Sequence, residues 1–270
     1  MPELDPVILS FYQQGKEEDR LSSLHHPSGP LEFLRTQELI LRFLPERSLR
    51  ILDIGGGPGA YAQWLTDLGH QVTLCDPVPL HVAQASAKGL SAHLGDAREL
   101  NEPSESVDVV LLLGPLYHLV NRSDRLQALR EATRLVRPGG LVFVAAISRF
   151  AALLDLMVRL DKFEEEGVAP LVIECVETGV MDGTENRLFT SAYMHRPSEL
   201  RAEAEEAGLT SLRLFNIEGP GFMVHNFADR WTDPVRRESL LQAARLVEED
   251  PDLLAAAGHL LLVGRKEADY

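Results

Sequence analysis

The chain has 270 residues, 45% hydrophobic and 25% charged, which is enough apolar material for the core of one large domain and excludes a disordered chain. Its 41 acidic side chains outnumber 26 basic ones, and a formal charge of −15 repels phosphate backbones and anionic lipids, so we expect neither nucleic acid nor membranes as partners. No apolar run approaches the roughly 20 residues of a membrane span, and the N-terminus is too acidic for a signal peptide, which predicts a soluble, cytoplasmic protein.

Short apolar runs alternate with helix patterns from residue 50 to residue 146, which predicts a parallel sheet covered by helices on both faces. The predicted strands are rich in Val, Ile and Leu, as buried strands are: RILDI, QVTLC, SAHL, VDVVLLL and LVFVAA. LRLFNI and HLLLVG add two strands near the end of the chain. We therefore predict an α/β fold with a doubly wound, mostly parallel sheet of seven strands.

The predicted helices have clear start and stop signals. SDRLQALREATRLV carries one apolar stripe with Ser123 as a candidate N-cap, and PSELRAEAEEAG has Pro197 in its first turn and Gly208 at its end. Residues 147–196 do not fit the alternation, and we predict that they form an inserted lid with a helix over FAALLDLMVRLDKFEEEG and a hairpin that turns at Asp182-Gly183. Residues 1–49 are predicted to form a helical cap, and 50–146 with 197–270 the core.

The loop after the first predicted strand reads LDIGGGPGA and matches the Gly-x-Gly-x-x-Ala dinucleotide pattern. It lies at the carboxyl end of a strand, where open parallel sheets bind ligands, and it has more glycines than a bare turn needs. Asp53 precedes the first glycine, and its charge would oppose a pyrophosphate by about 4 kcal/mol at 4 Å and intermediate dielectric. The loop therefore favours a cationic or zwitterionic ligand.

Asp76, at the end of the second predicted strand, is placed to accept both hydroxyls of a ribose, with a simple turn start as the alternative. An adenosine that carries a positively charged amino-acid arm and no phosphate suits both Asp53 and Asp76. Asp96, after the third strand, is a second acid at this edge, with a helix N-cap as its alternative role.

These motifs resemble those of the class I S-adenosylmethionine-dependent methyltransferases, over about residues 50–149 and more weakly from residue 196 onward. The resemblance rests on D-x-G-x-G-x-G at 53–59, the ribose acid Asp76, the adenine segment Gly95-Asp96-Ala97 and the turn Arg137-Pro-Gly-Gly-Leu. It implies a Rossmann-like fold, S-adenosylmethionine as cofactor and S-adenosylhomocysteine as product, and we predict no metal site. The implied cofactor contacts are Asp53, Gly55, Gly56, Gly57, Gly59, Asp76, Pro77, Asp96, Ala97, Leu113 and Gly114.

The segment Gly114-Pro-Leu-Tyr-His118 follows the fourth strand, where family members that methylate amino groups of nucleic acid or protein carry Asn or Asp, two prolines and an aromatic residue. Gly114 and Leu116 replace the polar residue and the second proline, so the resemblance implies a small-molecule acceptor that is methylated on O, N, S or C. His118 is the candidate general base because its unperturbed pKa lies near neutrality, and a packed, hydrogen-bonded histidine is the alternative. Tyr117 is the second candidate at the reacting centre, where we expect it to pack against cofactor or substrate.

The N-terminal segment FYQQGKEEDRL resembles a short helix that covers the cofactor in some of these enzymes. The resemblance predicts that Tyr12 covers the site and that Arg20 pairs with the cofactor's carboxylate, whereas the alternative is a solvated amphipathic helix. Tyr193 and His195, where the lid rejoins the core, and His225 are candidates to face the acceptor.

Two other functions stay open at this point. One is a regulatory or accessory protein that binds S-adenosylmethionine without catalysis, and the other is an NAD-dependent oxidoreductase, which Asp53 opposes. The sequence leaves the oligomeric state open, a homodimer included.

Overall fold

A computed structural model describes residues 6–24, 29–183 and 189–268. Its strands, numbered in chain order, are β1 Arg50–Ile54, β2 Gln71–Asp76, β3 Ser91–Leu94, β4 Val107–Leu112, β5 Val136–Ile147, β6 Val180–Met181, β7 Ala192–Tyr193, β8 Leu209–Asn216 and β9 His259–Lys266. The helices are α1 Pro6–Tyr12, α2 Gly29–Leu41, α3 Ala60–Asp67, α4 Pro79–Ala87, α5 Arg122–Leu135, α6 Ala151–Leu154, α7 Val168–Thr178, α8 Pro197–Glu206, α9 Phe227–Thr232 and α10 Pro234–Val247.

Seven strands form one sheet in the order β3-β2-β1-β4-β5-β9-β8. The pairs from β3 to β5 are all parallel, and only β9 runs antiparallel to its neighbours, β5 and β8. The chain order reverses direction across the sheet between β1 and β4, which opens a crevice at the carboxyl ends of these strands. This confirms the predicted fold class, a doubly wound, mostly parallel sheet of seven strands.

Alternate residues of the central strands pack into two cores on opposite faces of the sheet. Leu52 and Ile54 of β1 pack with α5 and α8, whereas Ile51, which precedes them, packs with α2 and α3. Each fully buried Leu or Ile side chain contributes roughly 1.5–3 kcal/mol of hydrophobic stabilisation. The two cores hold the sheet rigid beneath its carboxyl edge.

The lid region differs from the predicted single long helix. Helix α6 ends at Leu154, a π-turn follows over Asp155–Arg159, and the positive φ of 53° at Asp161 breaks the helical path. The run DKFEEE forms turns instead of a helix end, and a second helix, α7, follows it. Strands β6 and β7 pair as an antiparallel hairpin, as predicted. Met181 pairs with Ala192, so the connection that begins at Asp182-Gly183 is longer than the predicted two-residue turn, and its residues 184–188 lie outside the described residues.

Helix α5 begins two residues earlier than the predicted N-cap implies, at Arg122. Asn121 stands at its N-cap with extended backbone and its carbonyl accepts the Arg125 amide, so the prediction of Ser123 as N-cap is wrong. The buried guanidinium of Arg125 bonds the carbonyls of Leu119 and Val120, which ties the entry to the helix from inside. Among the described residues no helix is long and apolar enough to cross a membrane.

Candidate functional site

A cavity of about 340 Å³ lies at the carboxyl ends of β1, β2 and β4, under the segment made by α1 and the short helical turn Lys16–Asp19 that follows it. We call residues 6–24 the cap. The walls come from the cap, the glycine loop after β1, the end of β2, the turn after β3 and the segment after β4. The predicted residues that line it are Tyr12, Arg20, Asp53, Gly55, Gly56, Gly57, Asp76, Pro77, Asp96, Ala97, Leu113, Gly114, Tyr117 and His118.

Close packing excludes side chains at several positions of the glycine loop. Gly55 has a φ of +67°, and a Cβ there would lie 2.3 Å from Cγ of Pro115 in the loop after β4. A Cβ on Gly56 would lie 2.5 Å from the Asp53 carboxylate. Gly59 does not line the cavity: it has a φ of +91° at the start of α3 and packs toward Leu90.

Asp53 is a buried carboxylate beneath this loop, with an exposed fraction of 1%. Its Oδ2 accepts no hydrogen bond from the described residues. Burial, and then repulsion from Asp76, raise the pKa of Asp53 to about 7. An uncompensated buried acid in a cavity wall suits a ligand that brings positive charge, as the sequence predicts.

Asp76 joins the glycine loop to the start of α4. Its Oδ2 accepts the Gly57 amide at 2.9 Å, and its Oδ1 accepts the Val78 amide at 2.8 Å and faces His81 Nδ1 at 3.1 Å. The carboxylate is 4% exposed and lies in the cavity wall. These bonds hold the loop against the end of β2.

Asp96 opens a turn, and the helix that its N-cap alternative requires does not form. Residues 96–99 make a turn that an Asp96–Glu99 bridge closes, and Arg98 pairs with both carboxylate oxygens of Asp96. Arg98 also reaches Asp124 at 3.2 Å. The ion pair fixes the wall where the resemblance places an adenine ring.

Tyr12 and His118 meet across the cavity. The Tyr12 hydroxyl lies 2.6 Å from His118 Nε2, and the other ring nitrogen of His118 faces the Ser191 carbonyl at 3.5 Å. A carbonyl only accepts, so this arrangement places the proton on Nδ1, and Nε2 accepts from Tyr12. Tyr117 is 9% exposed and its ring lies 4.6 Å from that of His118.

Arg20 lines the cavity and is paired with protein carboxylates. Its guanidinium holds Glu32 through two bonds of 2.7 and 3.0 Å, and its Nε donates to Glu17 at 2.6 Å. The cofactor's carboxylate, which the resemblance assigns to Arg20, would have to share this guanidinium with Glu32.

Glu32 also belongs to a group of three side chains that could ligate a metal, with Glu218 and His259. His259 Nδ1 lies 2.6 Å from Glu218 and 3.8 Å from Glu32. Burial lowers the pKa of His259, but the two carboxylates outweigh it and raise the pKa to about 9. The imidazolium and Arg20 therefore already supply positive charge to this group.

The structure does not bring Tyr193, His195 or His225 to the cavity. Tyr193 lies beneath the guanidinium of Arg125, 3.6 Å from ring centroid to Cζ. His195 is fully buried and bonds Glu203 at 3.2 Å, while His225 is exposed. Tyr193 contacts Arg125 of α5 and Glu199 of α8, and none of the three residues lines the cavity, so the structure does not support the expectation that they face the acceptor there.

His81 is a cavity residue that the sequence reasoning missed. It lies in the first turn of α4, five residues after Asp76, and is 3% exposed. A polar residue one turn beyond an acid at a strand end was the available signal. Glu17 and Glu18 of the cap were missed as well, because the run KEED has the composition of a solvated turn.

Comparisons with known proteins identify the family of this chain. Residues 52–144 match a family model described as a methyltransferase domain. The ubiquinone biosynthesis O-methyltransferase of Methylobacterium nodulans is 30% identical over 196 residues, 70% of this chain and 69% of that protein. The Rhizobium etli enzyme of the same name is 33% identical over 111 residues, 39% of this chain and 44% of its own length.

The fold has close counterparts among solved structures. A protein of Thermotoga maritima, described as an S-adenosylmethionine-dependent methyltransferase and possible histamine N-methyltransferase, superposes with a TM-score of 0.57 at 17% identity, over 96% of this chain and 99% of that one. Three observations agree: the match to most of the Methylobacterium enzyme, the strand order and the acid-flanked glycine loop. The chain therefore belongs to the class I S-adenosylmethionine-dependent methyltransferases.

Proposed function

We propose that this enzyme methylates a hydroxyl group of a small molecule, with S-adenosylmethionine as donor and His118 as general base. The observation that carries the proposal is the 2.6 Å contact between the Tyr12 hydroxyl and His118 Nε2. It is a hydroxyl hydrogen-bonded to an imidazole nitrogen inside the cavity, and an acceptor hydroxyl that displaced Tyr12 would meet the same nitrogen.

The donor's contacts follow from the charges in the cavity wall. S-adenosylmethionine, when bound, supplies an activated methyl group on a positively charged sulfur. Asp53 and Asp76 offer negative charge to that cation, and the close-packed glycine loop offers backbone to the amino-acid arm. Asp53 has no other described partner for Oδ2, so the residues fit the group.

The chain's part in the reaction is placement and proton transfer. His118 Nε2 accepts the proton of the acceptor hydroxyl as the oxygen–carbon bond forms and the carbon–sulfur bond breaks, and the Ser191 carbonyl steadies the imidazolium through Nδ1. The cap covers the cavity and excludes water from it. Phe11 of the cap packs there against Phe189 of the lid, with 5.8 Å between ring centroids.

Three further observations support a small, soluble hydroxyl compound as acceptor. The segment after β4 has Gly114 where an amide clamp for amino groups would need Asn or Asp. The charge of −15 disfavours nucleic acid and anionic membranes. The Methylobacterium relative is named an O-methyltransferase.

The test compares His118→Asn with the unaltered enzyme on a panel of phenols, aliphatic alcohols, thiols and amines, with S-adenosylhomocysteine as the measured product. We expect kcat on the best hydroxyl acceptor to fall about 100-fold or more, because general-base catalysis contributes that much, while calorimetry shows unchanged affinity for S-adenosylhomocysteine.

His93→Asn is the matched control, since His93 lies on the edge strand β3, pairs with Glu102 and is 43% exposed in its side chain. It should leave kcat unchanged. Turnover of amines alone, or full activity of His118→Asn on a hydroxyl acceptor, would contradict the proposal.

A further inference from the structure

The hydrogen-bond capacity of Asp76 is nearly used up by the protein. An ionised carboxylate offers about four lone-pair sites, two on each oxygen. Oδ1 receives the Val78 amide and His81 Nδ1, and Oδ2 receives the Gly57 amide. One site remains, on Oδ2, so Asp76 accepts one ligand hydroxyl and not the two that the sequence suggested.

His81 supplies an acceptor that nothing else in the described protein uses. Asp76 only accepts, so the 3.1 Å contact places a proton on His81 Nδ1, and in the neutral imidazole Nε2 then carries a bare lone pair. Nε2 is buried and accepts no bond from the described residues. A buried acceptor without a donor is unfavourable, and a ligand hydroxyl would correct it.

The surroundings of His81 leave room for such a hydroxyl once the cap adjusts. The ring lines the cavity and packs edge to face against Tyr12 of the cap, with centroids 5.3 Å apart. Tyr12 contacts His118 at the same distance on its other side. A ligand that displaces Tyr12 therefore reaches both imidazoles.

We propose that His81 Nε2 accepts one ribose hydroxyl of the cofactor while Asp76 Oδ2 accepts the other. A carboxylate and an imidazole then hold the ribose together. Asp76 accepts one hydroxyl and also orients the His81 imidazole that accepts the other. The inference rests on the proposed donor, S-adenosylmethionine, and adds to it a residue that selects for a sugar with two free hydroxyls.

Two substitutions separate the two nitrogens of His81. In His81→Asn the amide nitrogen takes the place of Nδ1, keeps the bond to Asp76 and leaves nothing at Nε2. In His81→Gln the amide group reaches the position of Nε2, where its oxygen accepts a hydroxyl.

The experiment measures, by calorimetry, the affinities of S-adenosylhomocysteine and of its 2′-deoxy and 3′-deoxy analogues for the unaltered enzyme and both variants. The unaltered enzyme should lose about tenfold with each deoxy analogue, the size of one hydrogen bond. His81→Asn should bind S-adenosylhomocysteine about tenfold more weakly and lose nothing further with one of the two analogues. His81→Gln should recover part of the lost affinity.

If His81→Asn lost as much affinity with each of the two deoxy analogues as the unaltered enzyme does, the inference would be overturned, because Asp76 would then hold both hydroxyls. An unfolding temperature equal to that of the unaltered enzyme, with His93→Asn as control, shows that the fold of each variant is intact. Failure of the unaltered enzyme to bind S-adenosylhomocysteine would overturn the proposed donor itself, an outcome distinct from binding without the expected coupling.

Discussion

Asp53 makes the affinity for a cationic ligand depend on pH. Its pKa of about 7 means that the unliganded carboxyl is largely protonated at pH 6 and ionised at pH 8. A proton competes with the cation, so affinity for S-adenosylmethionine should rise about tenfold from pH 6 to pH 8 and level off above that. Calorimetry at both pH values measures it. Asp53→Asn should bind more weakly and lose most of this rise, and an unchanged slope in the variant would count against the assignment.

The conformation of the glycine loop depends on the absence of a side chain at Gly55. Gly55→Ala would force a left-handed backbone on a residue with a Cβ and press it against Pro115, at a cost of about 2–4 kcal/mol of unfolding free energy. Gly139→Ala is the matched control, since Gly139 has a φ of +73° with nothing within 4 Å of the added atom. It should cost only about 1–2 kcal/mol in the same denaturant titration. Equal losses of unfolding free energy in the two variants would mean that the loop can move to accommodate the added methyl group.

At the scale of elements, Lys88 at the end of α4 fastens the cap to the glycine loop. Its Nζ lies 2.6 Å from Glu18 of the cap and donates to the Pro58 carbonyl at 2.9 Å. Lys88→Met should speed release of S-adenosylhomocysteine about two- to fivefold, the range of a partly exposed ion pair, and most at low salt. Stopped-flow displacement measures it. Lys162→Met, in the exposed pair with Glu165 on the lid, should leave the rate unchanged; an equal effect there would argue against a cap fastening.

At the scale of the whole molecule, the group Glu32, Glu218 and His259 ties together α2, the loop after β8 and the start of β9. The folded state raises the pKa of His259 from about 6.5 to about 9, so it holds the proton more tightly than the unfolded chain does. The resulting stability, on the order of 3 kcal/mol, is fully present below pH 6.5 and is lost as pH rises through 9.

Urea titrations at pH 6.5 and 9.5 measure this loss. His259→Gln should show a smaller decline in unfolding free energy between the two pH values than the unaltered enzyme. His70→Gln is the control, because burial lowers the pKa of His70 instead. The same decline in all three proteins would show that other groups govern it.

Local pattern predicts the sheet well and the site only in part. RILDI is a strand over those same residues, because a buried parallel strand is a short, continuous apolar run. SAHL also forms a strand over its four residues, although it lies at the edge of the sheet and is only partly buried. The contact between Tyr12 and His118 joins residues 106 positions apart, and no pattern in either segment encodes it. The prediction of one long lid helix was wrong for a local reason. The apolar stripe continues past Leu154, whereas the α-helical backbone ends there.

The prediction that Tyr193 and His195 face the acceptor missed contacts that only the tertiary structure shows. Tyr193 and His195 do lie at the end of the lid, as their position indicates, but the buried cations Arg125 and Arg149 draw the Tyr193 ring and hydroxyl away from the cavity. Conversely, His81 reached the site because a strand end and a helix start converge there.

The antiparallel strand β9 has a consequence for how the chain is made. It lies between β5 and β8, so both strands leave the ribosome with an edge whose partner has not yet been translated. A product that stops before residue 259 exposes those two edges and the apolar side chains of β5 to other nascent chains. Termination of translation before β9 should therefore yield aggregates that need chaperones, although such a product keeps every residue of the glycine loop.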